Sequence, residues 1–489
     1  MTNQSGSASV PSVVRLLVIY AALPVIGTIA IVASAKLGVV IDAALAGIGF
    51  ATGIRGIALA VLWLGLVVAA IAVVRRMPDD GLRRWTPLAP LLLLVALRAI
   101  AIPLVDTPVS SDNDPRHLHE LAVGVLEGGN PLVAPRPMGF STMLAGLYAV
   151  FGVHPWLGEL LNLVLAVITG WMLHRFVLGA WGSRPAAAAV VAYALVPSQV
   201  LLTTTLFTET AYSAFLMIAI TLATGAVASR RFVLALASGA VLAISQYVRP
   251  VSQAFLPMFV LLPFLAGLRV SRSATMGAAM AAAFFVVLAP IAVHNLSTHG
   301  DLSLSTSSYG GWSVFVGANQ VHNGMFNRDD QAILRATEGS VWERSEILGR
   351  EGVERITGDP RGFAELAIRK FRVLWSDDTY AVGAALPGLA ATDVTRQGLL
   401  LASQGMYACL TVAAAVGLWR QRRRAIPAAV LLAGLLVTIA AAHTFVEVQP
   451  RYHAYVLPLI CALAAQALAG DRAGLTAPEV SSHRPVQEG

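Results

Sequence analysis

Four short stretches in an otherwise apolar chain carry the side chains that could do chemistry. The first, SSDNDPRHLHELAVGVLEGG, supplies Asp112, Asp114, His117, His119 and Glu120. A carboxylate at the mouth of a membrane cavity can take a proton from an acceptor hydroxyl, with burial tuning its pKa. Asp114 followed by Pro115 also reads as a helix start, and the two roles are compatible. His117 and His119 lie two residues apart and so do not share a helix face, which argues against a two-histidine metal site on that helix. The second stretch, TTTLFTETAYSAF, places Glu209 where an apolar helix begins. There it either complements the helix dipole or serves as a second active-site carboxylate, for an acceptor or a divalent ion. In the third, QYVRPVSQ, Arg249 precedes a proline; it either pairs with a carboxylate such as Glu209 or meets an anionic phosphate. The fourth, HTFVEVQPRYHAY, holds His443, Glu447, Arg451, Tyr452 and His453, with Arg451 readable as an interfacial anchor or as a phosphate ligand.

The elements that must position these groups are membrane helices. Of the 489 residues, 56% are hydrophobic and 12% charged, about half the charged fraction of soluble proteins, and the mean hydropathy is +0.70. That excludes a soluble enzyme, a disordered chain and a nucleic-acid module, and the two cysteines, Cys409 and Cys461, lie inside apolar runs. Stretches long enough to cross a bilayer occur at 13–34, 54–74, 86–105, 157–177, 185–203, 209–227, 232–248, 251–268, 274–293, 397–418, 425–443 and 452–469. Arginines recur on every second short loop: Arg75, Arg76, Arg83 and Arg84; Arg175 and Arg184; Arg230 and Arg231; Arg269 and Arg272; Arg420, Arg422, Arg423 and Arg424. The bias of basic residues toward the cytoplasm then puts both termini inside and the loops 106–156 and 294–396 outside, together with all four chemical stretches. An apolar stretch at 138–152 is short for a span, and a crossing there would invert every later arginine cluster. It is therefore expected to lie on the outer surface.

The expected fold class is an all-α polytopic membrane protein of about twelve transmembrane helices, with outer-surface helices and an extracytoplasmic helical cap. Residues 1–85 form an N-terminal hairpin with its cytoplasmic loop and 86–293 the transmembrane core. The loop 294–396 alternates apolar and charged residues at helical spacing, which predicts a cap of two or three amphipathic helices with Trp375 near the interface. Residues 397–470 return through the membrane, and 471–489 read as a disordered cytoplasmic tail. The first segment is expected to be a retained anchor, with no leader cleaved.

In order along residues 100–460, these strings resemble the C-type (GT-C) glycosyltransferase superfamily, in particular its dolichyl-phosphate-mannose and lipid A aminoarabinose transferase-like branch. SDND with ELAVGVLEGG is similar to the family's acidic motif and the helix after it, and APRPMGFSTMLAGLYAVFG to its surface-lying helix. FTETAYSAF is similar to the second acidic motif. The exit APIAVHNLSTHGDLSLSTSSYGGWSVFVGAN and the final QPRYHAYVLPLI complete the series. The resemblance implies an enzyme of the bacterial cytoplasmic membrane that moves a sugar from a polyprenyl phosphate to an acceptor at the outer face. It implies an outer-loop aspartate as base, Asp114 before Asp112, and Glu209 as the second acidic position. Arg249, Arg451, Tyr452 and Arg136 then meet the donor phosphate; Arg136 and Pro137 stand near where the aminoarabinose branch has a Lys-Pro-Pro element.

The chemistry expected is one inverting displacement at the anomeric carbon, the aspartate accepting the acceptor's proton and arginines stabilising the departing phosphate. A divalent metal is compatible with this and not required. Abundant Ala, Gly, Val and Arg suggest a GC-rich bacterial genome, which favours mannose, with arabinose as the alternative sugar. The acceptor is expected among envelope glycolipids, polysaccharides, secreted proteins and natural products. Two other readings compete: a lipid-linked polysaccharide ligase, working through an arginine and a histidine, and a twelve-helix transporter, which would need no hundred-residue outer cap and often shows paired halves.

Overall fold

A backbone in hydrocarbon must bond to itself, so apolar length decides which stretches become helices. The structure, a computed structural model, describes residues 10–47, 50–106, 109, 114–130 and 136–470. Among these, the regular elements are helices, apart from an isolated bridge between Val105 and Leu389. Asp112 and the tail after residue 470 lie outside the described residues.

The chain opens with a hairpin of α1 (Val10–Gly47) and α2 (Phe50–Arg76), turns through α3 (Asp79–Trp85) and continues as α4 (Leu88–Ala101). The segment that follows contributes α5 (Asp114–Leu126) and α6 (Gly139–Phe151). The core follows as α7 (Trp156–Trp181), α8 (Ser183–Leu195), α9 (Pro197–Leu201), α10 (Glu209–Ser229), α11 (Phe232–Val248), α12 (Ser252–Leu265) and α13 (Val270–His299). The long segment 294–396 then holds α14 (Gly310–Gly317), α15 (Arg328–Ala336), α16 (Val341–Gly358), α17 (Pro360–Ser376) and α18 (Tyr380–Ala385). The chain closes with α19 (Asp393–Gln421), α20 (Pro427–Phe445), a 3-10 turn at Pro450–Val456, and α21 (Leu457–Leu468).

Each of the twelve predicted spans falls on one of these helices. Seven, α1, α2, α7, α10, α13, α19 and α20, are by themselves long and apolar enough to cross a bilayer. Helices α8 and α9 are long and apolar enough only together, as a broken span or a re-entrant segment with a 65° bend at Pro197, whose missing N–H and ring interrupt the helix. The remaining four, α4, α11, α12 and α21, have 14, 17, 14 and 12 residues. Helix α6 has 13 residues, about 20 Å of helix, and like these four it is shorter than a full crossing by itself.

Three of the five arginine-rich stretches meet at one end of the bundle. Arg75 donates to the carbonyls of Leu468 and Ala467, Arg420 Nη1 to Gln466 O at 3.0 Å, and Arg184 Nη2 to Met77 O at 3.0 Å. At the opposite end Lys36 pairs with Asp377 at 3.1 Å, and Asp106 N donates to Gly388 O at 2.9 Å. Arginines collected at one end are what the alternation of charged loops demands of a bundle.

Between α11 and α13 the helices cross in backbone contact, since a Cβ on Gly239 would meet the Met280 carbonyl. Gly239→Val is expected to wedge this seam open at a cost of about 1–3 kcal/mol, read as a lower unfolding temperature in detergent; an unchanged temperature would show that the seam yields freely.

Within 294–396, the two or three amphipathic helices expected are present as three, α15, α16 and α17, which begin on side-chain caps. Asn327 accepts from Asp330 N, Ser340 and Glu343 form a reciprocal capping box, and Asp359 accepts from Gly362 N. Two short helices, α14 and α18, were not foreseen, being too short for periodicity to register. Trp375 departs from expectation: it is fully buried against Phe371 and His453, because the end of α17 dips into the bundle instead of resting at its surface.

Candidate active site

Five charged side chains separated by up to 337 residues meet at helix ends. Asp114 is the first residue of α5, and Arg136 lies just before α6. Glu209 is the first residue of α10, delivered by the bend that breaks α8 from α9. Arg249 ends α11 in extended backbone before Pro250, which excludes continuation of the helix. Arg451 follows Pro450 in the 3-10 turn, set there by the proline that opens it.

Both oxygens of Asp114 accept from arginine, Oδ1 from Arg136 Nη1 and Oδ2 from Arg451 Nη2. Glu209, 1% exposed, accepts from Arg249 Nη1 at 2.9 Å on Oε1, and the same oxygen lies 3.4 Å from Arg451 Nε. Arg451 therefore bridges the two carboxylates. Arg249 Nη1 also donates to Thr208 Oγ1 at 3.0 Å. Burial raises the Asp114 pKa, but the charges of Arg451 and then Arg136 outweigh it and hold the carboxyl well below the usual carboxylate range. Three atoms of the cluster, Arg451 Nε and Nη1 and Glu209 Oε2, are buried without a hydrogen-bond partner, Nε having only the 3.4 Å ion-pair approach to Glu209 Oε1. Such groups are rare enough in folded proteins to call for an explanation.

Aromatic rings wall the arginines. Arg451 lies 4.6 Å from the Phe207 ring centre, 5.2 Å from Tyr380 and 6.0 Å from Tyr452. Arg249 lies 4.6 Å from Tyr452 and 5.1 Å from Tyr455. These are cation–π distances, and the two guanidinium side chains are largely buried.

Sequence reasoning thus brought together Asp114, Glu209, Arg249, Arg451, Tyr452 and Arg136. The pairing of Arg249 with Glu209, one of its two readings, is present. Arg451 is buried among rings, not an interfacial anchor. Phe207, Tyr380 and Thr208 were not picked out, although Phe207 and Thr208 flank Glu209 within the quoted motif. Glu447 sits behind the cluster, accepting from Gln449 Nε2 at 2.9 Å, and burial pushes its carboxyl above the usual range. His117 and His119 diverge as expected: His117 lies 3.8 Å from Glu120, while His119 Nδ1 is 2.8 Å from Tyr148 Oη on α6. Among the described residues no group of three or more His, Cys, Asp or Glu side chains comes together as a metal site.

Beneath the cluster, His453 Nε2 and Asp378 Oδ1 are 3.1 Å apart, and Ser198 and Ser403 donate to Asp378 Oδ2. This buried set ties the turn of Arg451 to the segment of Tyr380. Nearby on α17, Lys370 is buried with Nζ donating to Gly317 O at 2.8 Å and Thr444 O at 2.7 Å. Burial, opposed only by Glu447, lowers its pKa to about 7. The unfolded chain, with lysine near 10.4, binds the extra proton between those values, so this group's contribution makes stability rise as pH goes from about 7 to about 10. The unfolding temperature of Lys370→Met is expected to lack that rise; a parallel rise in both proteins would place the proton elsewhere.

No protein-family model matches the chain, and no curated protein does. Among solved structures the chain is similar to ArnT from Cupriavidus metallidurans bound to undecaprenyl phosphate, at 13% identity, covering 78% of this chain and 77% of that one with a TM-score of 0.36. It is also similar to the same protein in the apo state, at 12% identity, the same coverage and a TM-score of 0.32.

Proposed function

We propose that this chain is an integral-membrane glycosyltransferase of the GT-C type. It moves a sugar, mannose before arabinose, from a polyprenyl phosphate to an acceptor at the outer face of a bacterial cytoplasmic membrane. The observation that carries this reading is the convergence of two carboxylates and three arginines from five helix ends, with two guanidinium nitrogens and one carboxylate oxygen left without a hydrogen bond. The unpartnered Arg451 Nη1 suits a phosphate oxygen, and Glu209 Oε2 suits a sugar hydroxyl. The placement of the cluster at helix ends, opposite the arginine-rich ends, supports a site at the outer face. It tells against a transporter, whose site would lie near the bilayer midplane.

Asp114 acts as the base. Clamped by two arginines, it is ionised but only weakly basic. A donor phosphate competing for Arg451 and Arg136 would release it, so that its basicity rises when donor is bound. As the sugar–phosphate bond breaks, charge develops on the leaving phosphate, and arginines already in place among aromatic rings stabilise it without reorganisation. The acceptor oxygen bonds the anomeric carbon from the opposite side, and its proton goes to Asp114.

The test is mass spectrometry of purified protein in lipid, supplied with polyprenyl-phospho-mannose and an envelope lipid extract. Release of free polyprenyl phosphate that depends on Asp114 and on the extract is the expected result. Silence with mannose is followed by the arabinose donor, and silence with both would turn the assignment toward a ligase or transporter.

A further inference from the structure

Outboard of Asp114, a cleft of about 490 Å³ separates α5 from the cap, and His117, Glu120, Arg136, Tyr309, Arg335 and Arg344 are among the residues lining it. Its charge is one-sided. Glu120 is the only carboxylate of the lining, and it is already taken by Arg116 at 2.7 Å. Arg335 and Arg344 come from α15 and α16, and neither has an ion-pair partner among the described residues. The Nε of Arg344 is buried with no acceptor. Arg136 belongs to both places, lining the cleft while its Nη1 holds Asp114. A cavity of this size accommodates a sugar-sized ligand. Guanidinium groups with unused donors at its wall recognise carboxylate or phosphate oxygens.

We infer that this cleft is the acceptor subsite and that it grips the acceptor through an anionic group, phosphoryl or carboxylate, while a separate hydroxyl of the acceptor is presented to Asp114. The acceptor role rests on the transferase reading; the binding of an anion does not. Arg335 and Arg344 hold the anionic group. Arg136, shared with Asp114, links occupancy of the cleft to release of the base. Neutral acceptors would leave the two cap arginines without a partner and bind weakly.

The experiment uses the full chain in nanodiscs of phosphatidylcholine, with glucose 6-phosphate, glucuronate and glucose as probes and calorimetry or saturation-transfer NMR as the readout. Both anions are expected to bind, and glucose at least tenfold more weakly. Arg335→Gln and Arg344→Gln should each weaken the anions about tenfold while binding of polyprenyl phosphate stays unchanged. Arg335 is exposed, so its variant keeps the test in force if the Arg344 variant misfolds. Equal binding of glucose and the anions, or undiminished anion binding in the variants, overturns the proposal. Repeating the titration in nanodiscs containing phosphatidylglycerol assigns the source: competition by the lipid means a membrane-anchored anionic acceptor, and its absence a soluble or polymeric one. Anion binding without any release of polyprenyl phosphate would remove the transferase reading and leave the cleft; release without anion binding would remove the cleft alone.

Discussion

Asparagine at position 114 is expected to cut sugar transfer about 10²- to 10⁴-fold, the usual worth of a positioned general base, while polyprenyl phosphate binds at least as tightly as to the wild type. The second half is the more diagnostic. Asp114 occupies Arg451 Nη2 and Arg136 Nη1; removing its charge frees both for a phosphate and removes an anion that repels it. A variant that lost donor affinity and kept turnover would reverse the roles of aspartate and arginine. The pH dependence should divide in the same way. In the free enzyme the carboxyl lies well below its usual range, so kcat/KM should hold at acid pH values where an ordinary aspartate would be protonated. Once phosphate has drawn the arginines away, the carboxyl is more basic, and the acid limb of kcat should lie at higher pH. Coincident limbs would show that the arginines never leave Asp114.

Replacing Arg451 with methionine should be the most damaging change to donor handling. Its guanidinium joins Asp114 to Glu209, and Glu209 is 1% exposed. Truncating one member of a buried, hydrogen-bonded charge set costs about 2–5 kcal/mol, or on the order of 30- to 3,000-fold in kcat/KM. Lysine at 451 should restore little, because a single ammonium cannot span both carboxylates as the planar guanidinium does. Binding of undecaprenyl phosphate to nanodisc-embedded variants checks this directly; wild-type affinity in Arg451→Met would remove the residue from the donor site.

The helices were legible because the criterion in a membrane is simple: enough apolar residues in a row to satisfy the backbone internally. Hence 157–177 and 274–293 fall on α7 and α13 with little ambiguity. Helices α14 and α18 are only eight and six residues long, below the length at which a period can be read. The cluster of Asp114, Glu209, Arg249 and Arg451 was legible because charged residues at membrane depth are few and costly, so each one stands out. The rings of Phe207 and Tyr380 were not, since an aromatic residue in an apolar run carries no sign of the cation it will face. Lys370 and the Asp378–His453 pair were missed for a related reason. Their partners lie 53 and 75 residues away, and no local spacing encodes them.

The aromatic wall around Arg451 also has a bearing on ionic strength. Mobile ions screen charges that water can reach, over about 10 Å at 0.1 M salt, and act far less on buried ones. Arg451 and Arg249 have side chains only 12% and 15% exposed, so added salt should barely move donor affinity. Arg335 stands open at the cap, and whatever it attracts should be released as salt rises. Sodium chloride would then act as a selective lever on this molecule, loosening whatever Arg335 attracts while leaving an anion held by Arg451 and Arg249 in place.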